Sequence, residues 1–114
     1  MHRARLSGPA RADIDSIWHY TLNQYDLDQA DRYVSLIEQA LEDIGLEPKA
    51  ATTRARPELG GFIRSYPISL SKRRGQSSIQ SPRHVIIYTL AHEDEVFILR
   101  ILHETMDIKR QIET

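Results

Sequence analysis

The sequence predicts an α+β fold in which a helical hairpin covers one face of a small, mainly antiparallel sheet, with a short helix at the C-terminal end. Three observations predict it. The runs from Ile14 to Tyr25 and from Ala30 to Ile44 carry apolar residues at three- and four-residue spacing, the stripe of an amphipathic helix. The stretch from Glu95 to His103 is almost wholly aliphatic, β-branched or aromatic and has no Gly or Pro, so it reads as a strand buried on both faces. Arg83 to Ala91 precedes it across a His92-Glu93-Asp94 turn, which makes an antiparallel hairpin. The order is β-α-α-β-β-β with a terminal helical turn, in a single domain spanning residues 1–114.

Each element follows from local chemistry. Arg3 to Ser7 is a short strand, cut off by Gly8-Pro9; Ser7 is placed to cap the next helix, and Pro9 fits its first turn. The first helical stripe is Ile14, Ile17, Trp18, Thr21, Leu22 and Tyr25, while Asp13, Asp15 and Asn23 fall off it, which predicts solvated surface carboxylates. Asp26 with Gln29 three residues on is a capping box, so a second helix starts at once and the two must lie antiparallel. Its stripe is Ala30, Tyr33, Val34, Ile37, Ala40, Leu41 and Ile44, with Gly45 as a left-handed terminator and Pro48 enforcing the stop. Trp18, Tyr25 and Tyr33 are expected to pack in the core.

Lys49 to Gly61 is polar and irregular, broken by Pro57 and Gly60-Gly61. Phe62 to Leu70 alternates as a strand, with Pro67 pointing to an edge position or a bulge. Ser71 to Pro82 is a long loop carrying Lys72, Arg73 and Arg74. Alternation puts His84, Ile86, Tyr88 and Leu90 on one face of the next strand. In the last strand it separates Phe97, Leu99, Ile101 and His103 from Val96, Ile98, Arg100 and Leu102. An arginine there must be paired or open onto a groove. Asp107 caps a final helix over 108–112, with Lys109 and Arg110 near its C-terminal end.

Charge is divided along the chain. Asp13 to Glu47 holds nine acids against Arg32 alone, and Lys49 to Arg83 holds eight bases against Glu58 alone, although the net charge is only −1. Such a division favours a partner that is acidic over the second region. The absence of cysteine excludes disulfides and thiolate metal sites. No apolar run approaches the roughly 20 residues of a membrane span, and the first residues lack a signal-peptide core, so the cytoplasm is the expected location.

Constellations for catalysis are sparse. None of the five histidines is spaced as a metal pair, and there is no Gly-rich phosphate loop or Gly-x-Ser-x-Gly elbow, so neither metal nor cofactor is expected. The strand-borne candidates for chemistry are Arg64, Arg83, His84, Tyr88, Arg100 and His103. Two or three of these arginines converging on the sheet face away from the hairpin would grip a phosphate or carboxylate. Turnover would also need a proton donor and acceptor, and His84 and His103 are the only strand residues that titrate near neutrality.

The ending His84-Val-Ile-Ile-Tyr88 … Val96-Phe-Ile-Leu-Arg-Ile-Leu-His103-Glu-Thr-Met106-Asp107-Ile-Lys-Arg110 resembles the ParE branch of the RelE/ParE toxin superfamily. Leu6-Ser7, Ala10, Asp13-Ile14, Ile17-Trp18, Gln29-Ala30 and Tyr33 match the same pattern, so the resemblance covers nearly the whole chain. It implies a RelE/ParE-like fold and the toxin half of a bacterial type II toxin–antitoxin pair. It further implies neutralisation by a ParD-like antitoxin with an acidic C-terminal segment and, as for characterised relatives, non-enzymatic poisoning of DNA gyrase. Sequence-specific DNA binding is expected only through the antitoxin. On this footing Arg64, Arg83, Arg100, His103, Met106, Asp107 and Arg110 are candidates for target binding. Trp18, Tyr33, Arg54, Arg56, Tyr66, Lys72, Arg73 and Arg74 are candidates for antitoxin binding. The alternative is a RelE-type ribosome-dependent mRNA endonuclease, motivated by Arg64, Arg83, Arg100 and the two strand histidines. The stretch Gln111-Ile-Glu-Thr114 lacks the aromatic those nucleases carry near the C-terminus, which weighs against cleavage. A third reading is a toxin-like domain kept only to bind its antitoxin.

Overall fold

The computed structural model describes residues 3–72, 82–92 and 95–113. Its strands are β1 (Arg3–Leu6), β2 (Arg54–Ala55), β3 (Ile63–Pro67), β4 (His84–His92) and β5 (Glu95–His103); its helices are α1 (Gly8–Gln24), α2 (Leu27–Leu46) and α3 (Ile108–Glu113). The strands form one sheet in the order β1-β5-β4-β3-β2, parallel between β1 and β5 and antiparallel elsewhere. The α+β class, the helical hairpin and the C-terminal helix are as the sequence predicts. The turn residues Glu93 and Asp94, and Arg73 and Arg74 of the basic loop, lie outside the described residues.

The helix starts follow the sequence closely. The Ser7 side chain accepts from the Ala10 amide at 3.1 Å, and Asp26 accepts from the Gln29 amide at 2.8 Å, so both caps supply an acceptor for an otherwise orphan N–H. Ser7 also donates through its hydroxyl to the Leu99 carbonyl at 2.8 Å, which fastens the start of α1 to β5. The other end of α2 differs from expectation. Gly45 is helical and buried, and α2 runs to Leu46, with Glu47 as the cap at φ −149°. Pro48 bars its predecessor from helical geometry, so the proline sets the stop and the glycine does not.

The hairpin covers one sheet face with Ile17 from α1 and Leu36, Ile37, Ala40 and Ile44 from α2, packed on Tyr66, Ile68, Ile86, Tyr88, Val96, Ile98 and Ile101. Leu36 is fully buried although it falls outside the predicted stripe. Tyr25, expected in the core, is 71% exposed at the hairpin tip. It follows the last turn of α1, where the chain leaves helical geometry and the stripe no longer faces the sheet.

Three further differences have local causes. The predicted strand over 62–70 keeps only Ile63–Pro67; the chain then winds into a 3-10 turn, Ile68–Ser71. Ser71 donates to Asp43 of α2 at 2.6 Å and meets the Tyr66 hydroxyl at 2.7 Å, which draws this segment under α2 and out of the sheet. The irregular stretch 49–61 contributes the two-residue edge strand β2 and a 3-10 turn, Pro57–Leu59.

The alternation of β5 also breaks. Ile87 pairs with Arg100 but Tyr88 pairs with Ile98, so Leu99 is an extra residue, a β-bulge. Parity changes there, and the core face reads Val96, Ile98, then Ile101. The opposite face is not open at its centre, because Ile87 and Leu102 are buried there. The 3-10 turn Pro57–Leu59 and α3 pack against each other over that face.

Candidate functional site

Polar groups gather where β1 ends and leaves one edge of β5 without a strand neighbour, just past the bulge. β1 pairs only as far as Ile98, so the rest of that edge needs another acceptor. Asp13 of α1 supplies it, taking the Ile101 amide on Oδ2 at 2.8 Å. The same carboxylate accepts from Arg100 Nε and Nη2, both at 2.8 Å, a bidentate ion pair whose side chains are only 23% and 13% exposed. These bonds hold Arg100 further in its charged form. Arg100 Nη1 donates to the Gln111 carbonyl at 3.3 Å, so a single guanidinium ties α1, β5 and α3 together. Asp13 is therefore not the solvated carboxylate that the helical stripe suggests. A signal was present in its position, three residues after Ala10 and four before Ile17, both of which are buried.

Beside this pair His84 and His103 face each other across β4 and β5, with ring centroids 5.3 Å apart. The Tyr33 hydroxyl lies 2.6 Å from His84 Nδ1. Burial, and then the neighbouring His103, push His84 down to about 4 against a weaker opposite pull from Asp13. Burial likewise pushes the Tyr33 phenol up to about 12. Tyr33 keeps its proton and His84 is neutral, so we assign the hydroxyl as donor and Nδ1 as acceptor. His103 Nδ1 in turn accepts from the Thr105 amide at 3.3 Å and lies 2.8 Å from the Thr105 hydroxyl. Both shifts move the pair away from neutrality, Tyr33 upward and His84 downward.

The other two strand arginines stand apart. Arg64 donates to Thr53 Oγ1 from Nε at 3.0 Å and from Nη2 at 2.7 Å, at the far side of the sheet. Arg83 pairs with Glu104 at 2.7 Å, a largely exposed contact. The expected convergence of Arg64, Arg83 and Arg100 on one face is not what the fold builds; each has its own partner. Among the described residues no group of His, Asp and Glu comes together that could hold a metal ion.

The sequence and the fold agree with one family. The family model for the ParE toxin of the type II toxin–antitoxin system parDE matches residues 4–108. The chain belongs to the ParE toxin family. Two relatives named Toxin ParE1 are similar to it. That of Mycobacterium tuberculosis is 26% identical over 110 residues, with 96% of this chain and 97% of the relative covered. That of Caulobacter vibrioides is 27% identical over 108 residues, covering 95% of each. A solved chain from the chromosomal ParDE toxin–antitoxin system of P. aeruginosa shares the fold at TM-score 0.66. It is 16% identical, with 90% of this chain and 96% of that one covered.

In this ParE-family chain the other candidate residues scatter over three regions. Met106, Asp107 and Arg110 are exposed where α3 begins, and Asp107 Oδ1 caps it by accepting the Arg110 amide at 3.3 Å. Trp18 half-lines an open groove of about 290 Å³ with Leu6, Ile14 and Val34, and its indole donates to Asp31 at 3.0 Å, bridging the two helices. Arg54 and Lys72 are exposed, and Arg56 is held by Glu58 at 2.9 Å. Tyr66 cannot meet a partner as expected: it is 6% exposed, a core residue bonded to Ser71. Tyr33 is half-buried against the core, with its hydroxyl committed to His84. No described helix is long and apolar enough to cross a membrane.

Proposed function

We propose that this protein is the toxin of a ParDE-type pair that acts by binding and inhibiting DNA gyrase, without chemistry of its own, and that a ParD-like antitoxin neutralises it. One observation supports the non-enzymatic part: three of the strand groups a nuclease could use, Arg100, Arg64 and His84, are already engaged by other side chains. Arg100 is neutralised by Asp13, Arg64 is turned to Thr53, and His84 is a neutral acceptor locked to Tyr33. What remains exposed, Met106, Asp107 and Arg110, is suited to gripping a protein surface.

The purified protein is expected to inhibit gyrase supercoiling while mRNA in a translating extract stays intact. Gyrase untouched at large molar excess removes the target. Cleavage abolished by Arg83→Ala would instead establish the RelE-type activity. Expression without the antitoxin is expected to arrest growth; a harmless protein would mean that only antitoxin binding is kept.

The antitoxin's acidic C-terminal segment would lie from the Trp18 groove toward the basic region that includes Arg54, Arg56 and Lys72. Steering by that region predicts an association rate that falls about tenfold or more from low to high salt. Neutralising Lys72, Arg73 and Arg74 together should flatten the dependence. A rate indifferent to salt in stopped-flow measurements would rule steering out.

A further inference from the structure

α3 has six residues, too few for a helix to hold in water on its own hydrogen bonds, so its place depends on what it is tied to. Asp107 caps its start. At the other end the last four carbonyls of a helix have no partner within it, and the Gln111 carbonyl is one of these. Arg100 reaches that carbonyl from β5, a cation set at the negative end of the helix. The 3-10 turn Pro57–Leu59 and β5 pack along its side.

The reach of Arg100 is directed from elsewhere. Its Nε and Nη2 are both held by the Asp13 carboxylate, so the plane of the guanidinium, and with it the direction of Nη1, is set by α1. What the tie holds in place is one wall of an open groove of about 490 Å³ between α3 and the 3-10 turn. Leu59 and Val85 line it on the far side, and Met106, Asp107, Ile108 and Lys109 on the near side. Met106 and Asp107 are exposed there, and they are the residues offered above as the grip on the target. Arg100 does not line the groove, and its side chain is mostly buried behind it.

We propose that Arg100 is a positioning residue for target binding: it fixes α3 as a wall of this groove and does not itself touch the target. The assignment rests on the gyrase reading above. It moves Arg100 from the contact surface to the support behind it, where the donor to Gln111 matters as much as the charge.

The test separates the donor from the charge. In Arg100→Lys a single ammonium can still pair with Asp13 but cannot span Asp13 and the Gln111 carbonyl together. Amide hydrogen exchange over 108–113 is expected to quicken about fivefold or more in the full-length variant, with the amides of β4 and β5 unchanged. Inhibition of gyrase supercoiling should weaken about five- to tenfold, while affinity for the ParD-like protein stays within about twofold of wild type. Gln111→Pro breaks α3 from its own side, by removing the Gln111 amide bonded to the Asp107 carbonyl, and leaves the Arg100–Asp13 pair whole. It should reproduce the loss of inhibition without loss of antitoxin affinity. A general loosening of the fold would instead quicken exchange across the sheet and lower antitoxin affinity as well, and that result overturns the positioning role. Exchange over 108–113 unchanged in Arg100→Lys, or full inhibition by Gln111→Pro, overturns this inference alone. No inhibition by the wild type overturns the gyrase reading and this inference with it.

Discussion

Asp13→Ala is expected to destabilise the protein by about 3 kcal/mol, more than any substitution on the exposed face of the hairpin. The carboxylate accepts three short bonds, two from Arg100 and one from the Ile101 amide. Alanine leaves a poorly solvated guanidinium without its counter-ion and an edge amide without an acceptor, and each carries its own cost. The partial exposure of Arg100 keeps the total at the lower end of the range for breaking a buried pair. Arg100→Ala should cost less, about 2 kcal/mol, because Asp13 would still accept from Ile101. The double variant should fall short of the sum of the two by about 1 kcal/mol or more, as contacting partners do. Urea unfolding of the four proteins measures all three quantities. An Asp13→Ala midpoint indistinguishable from wild type would mean that the edge is satisfied some other way.

That pair marks the limit of what could be read from the residues. The helical hairpin was legible because Ser7, Asp26 and Pro48 act within a turn of themselves, and capping is local chemistry. The β4–β5 pairing was legible because a run of β-branched and aliphatic residues has few alternatives to a strand. The bulge at Leu99 was not, since it comes from the meeting of three strands and a helix end, and no single residue announces it. With it went the facing of Ile101 and His103 and the fate of Arg100. Asp13 was missed for the same reason: a carboxylate near the start of a helix is ordinarily solvated, and its partner lies 87 residues away. The short strand β2 escaped because two residues carry no periodicity. Tyr66 and Tyr25 exchanged their expected places, since burial at an element's end depends on where the chain turns next. Of the candidate contact residues chosen by type, Met106, Arg54 and Lys72 stand on the surface and Tyr66 does not.

His84 sets a second large effect, one that depends on pH. Its folded-state pKa is about 4 against an ordinary value of 6.5, so below pH 6.5 the unfolded chain takes up a proton that the folded protein refuses. Stability is therefore full above pH 6.5, declines as pH falls, and stops responding to this residue below about pH 4. The depression corresponds to about 2–3 kcal/mol across that window, allowing for the part of the ring that water reaches. The groups that face it are Tyr33, which offers only a hydroxyl, His103, which opposes a second charge, and Asp13, whose pull is already spent on Arg100. His84→Asn separates this from general acid unfolding, because its amide oxygen can accept the Tyr33 hydroxyl as Nδ1 does but cannot take a proton. At pH 7 the variant should be within about 1 kcal/mol of wild type, the scale of one neutral hydrogen bond. Between pH 6.5 and 4 its urea midpoint should fall less steeply than that of the wild type. Parallel curves for the two proteins would show that His84 protonates freely in the folded state. The locked Tyr33–His84 pair would then be open to proton exchange, and the case against acid–base chemistry at this site would lose its main support.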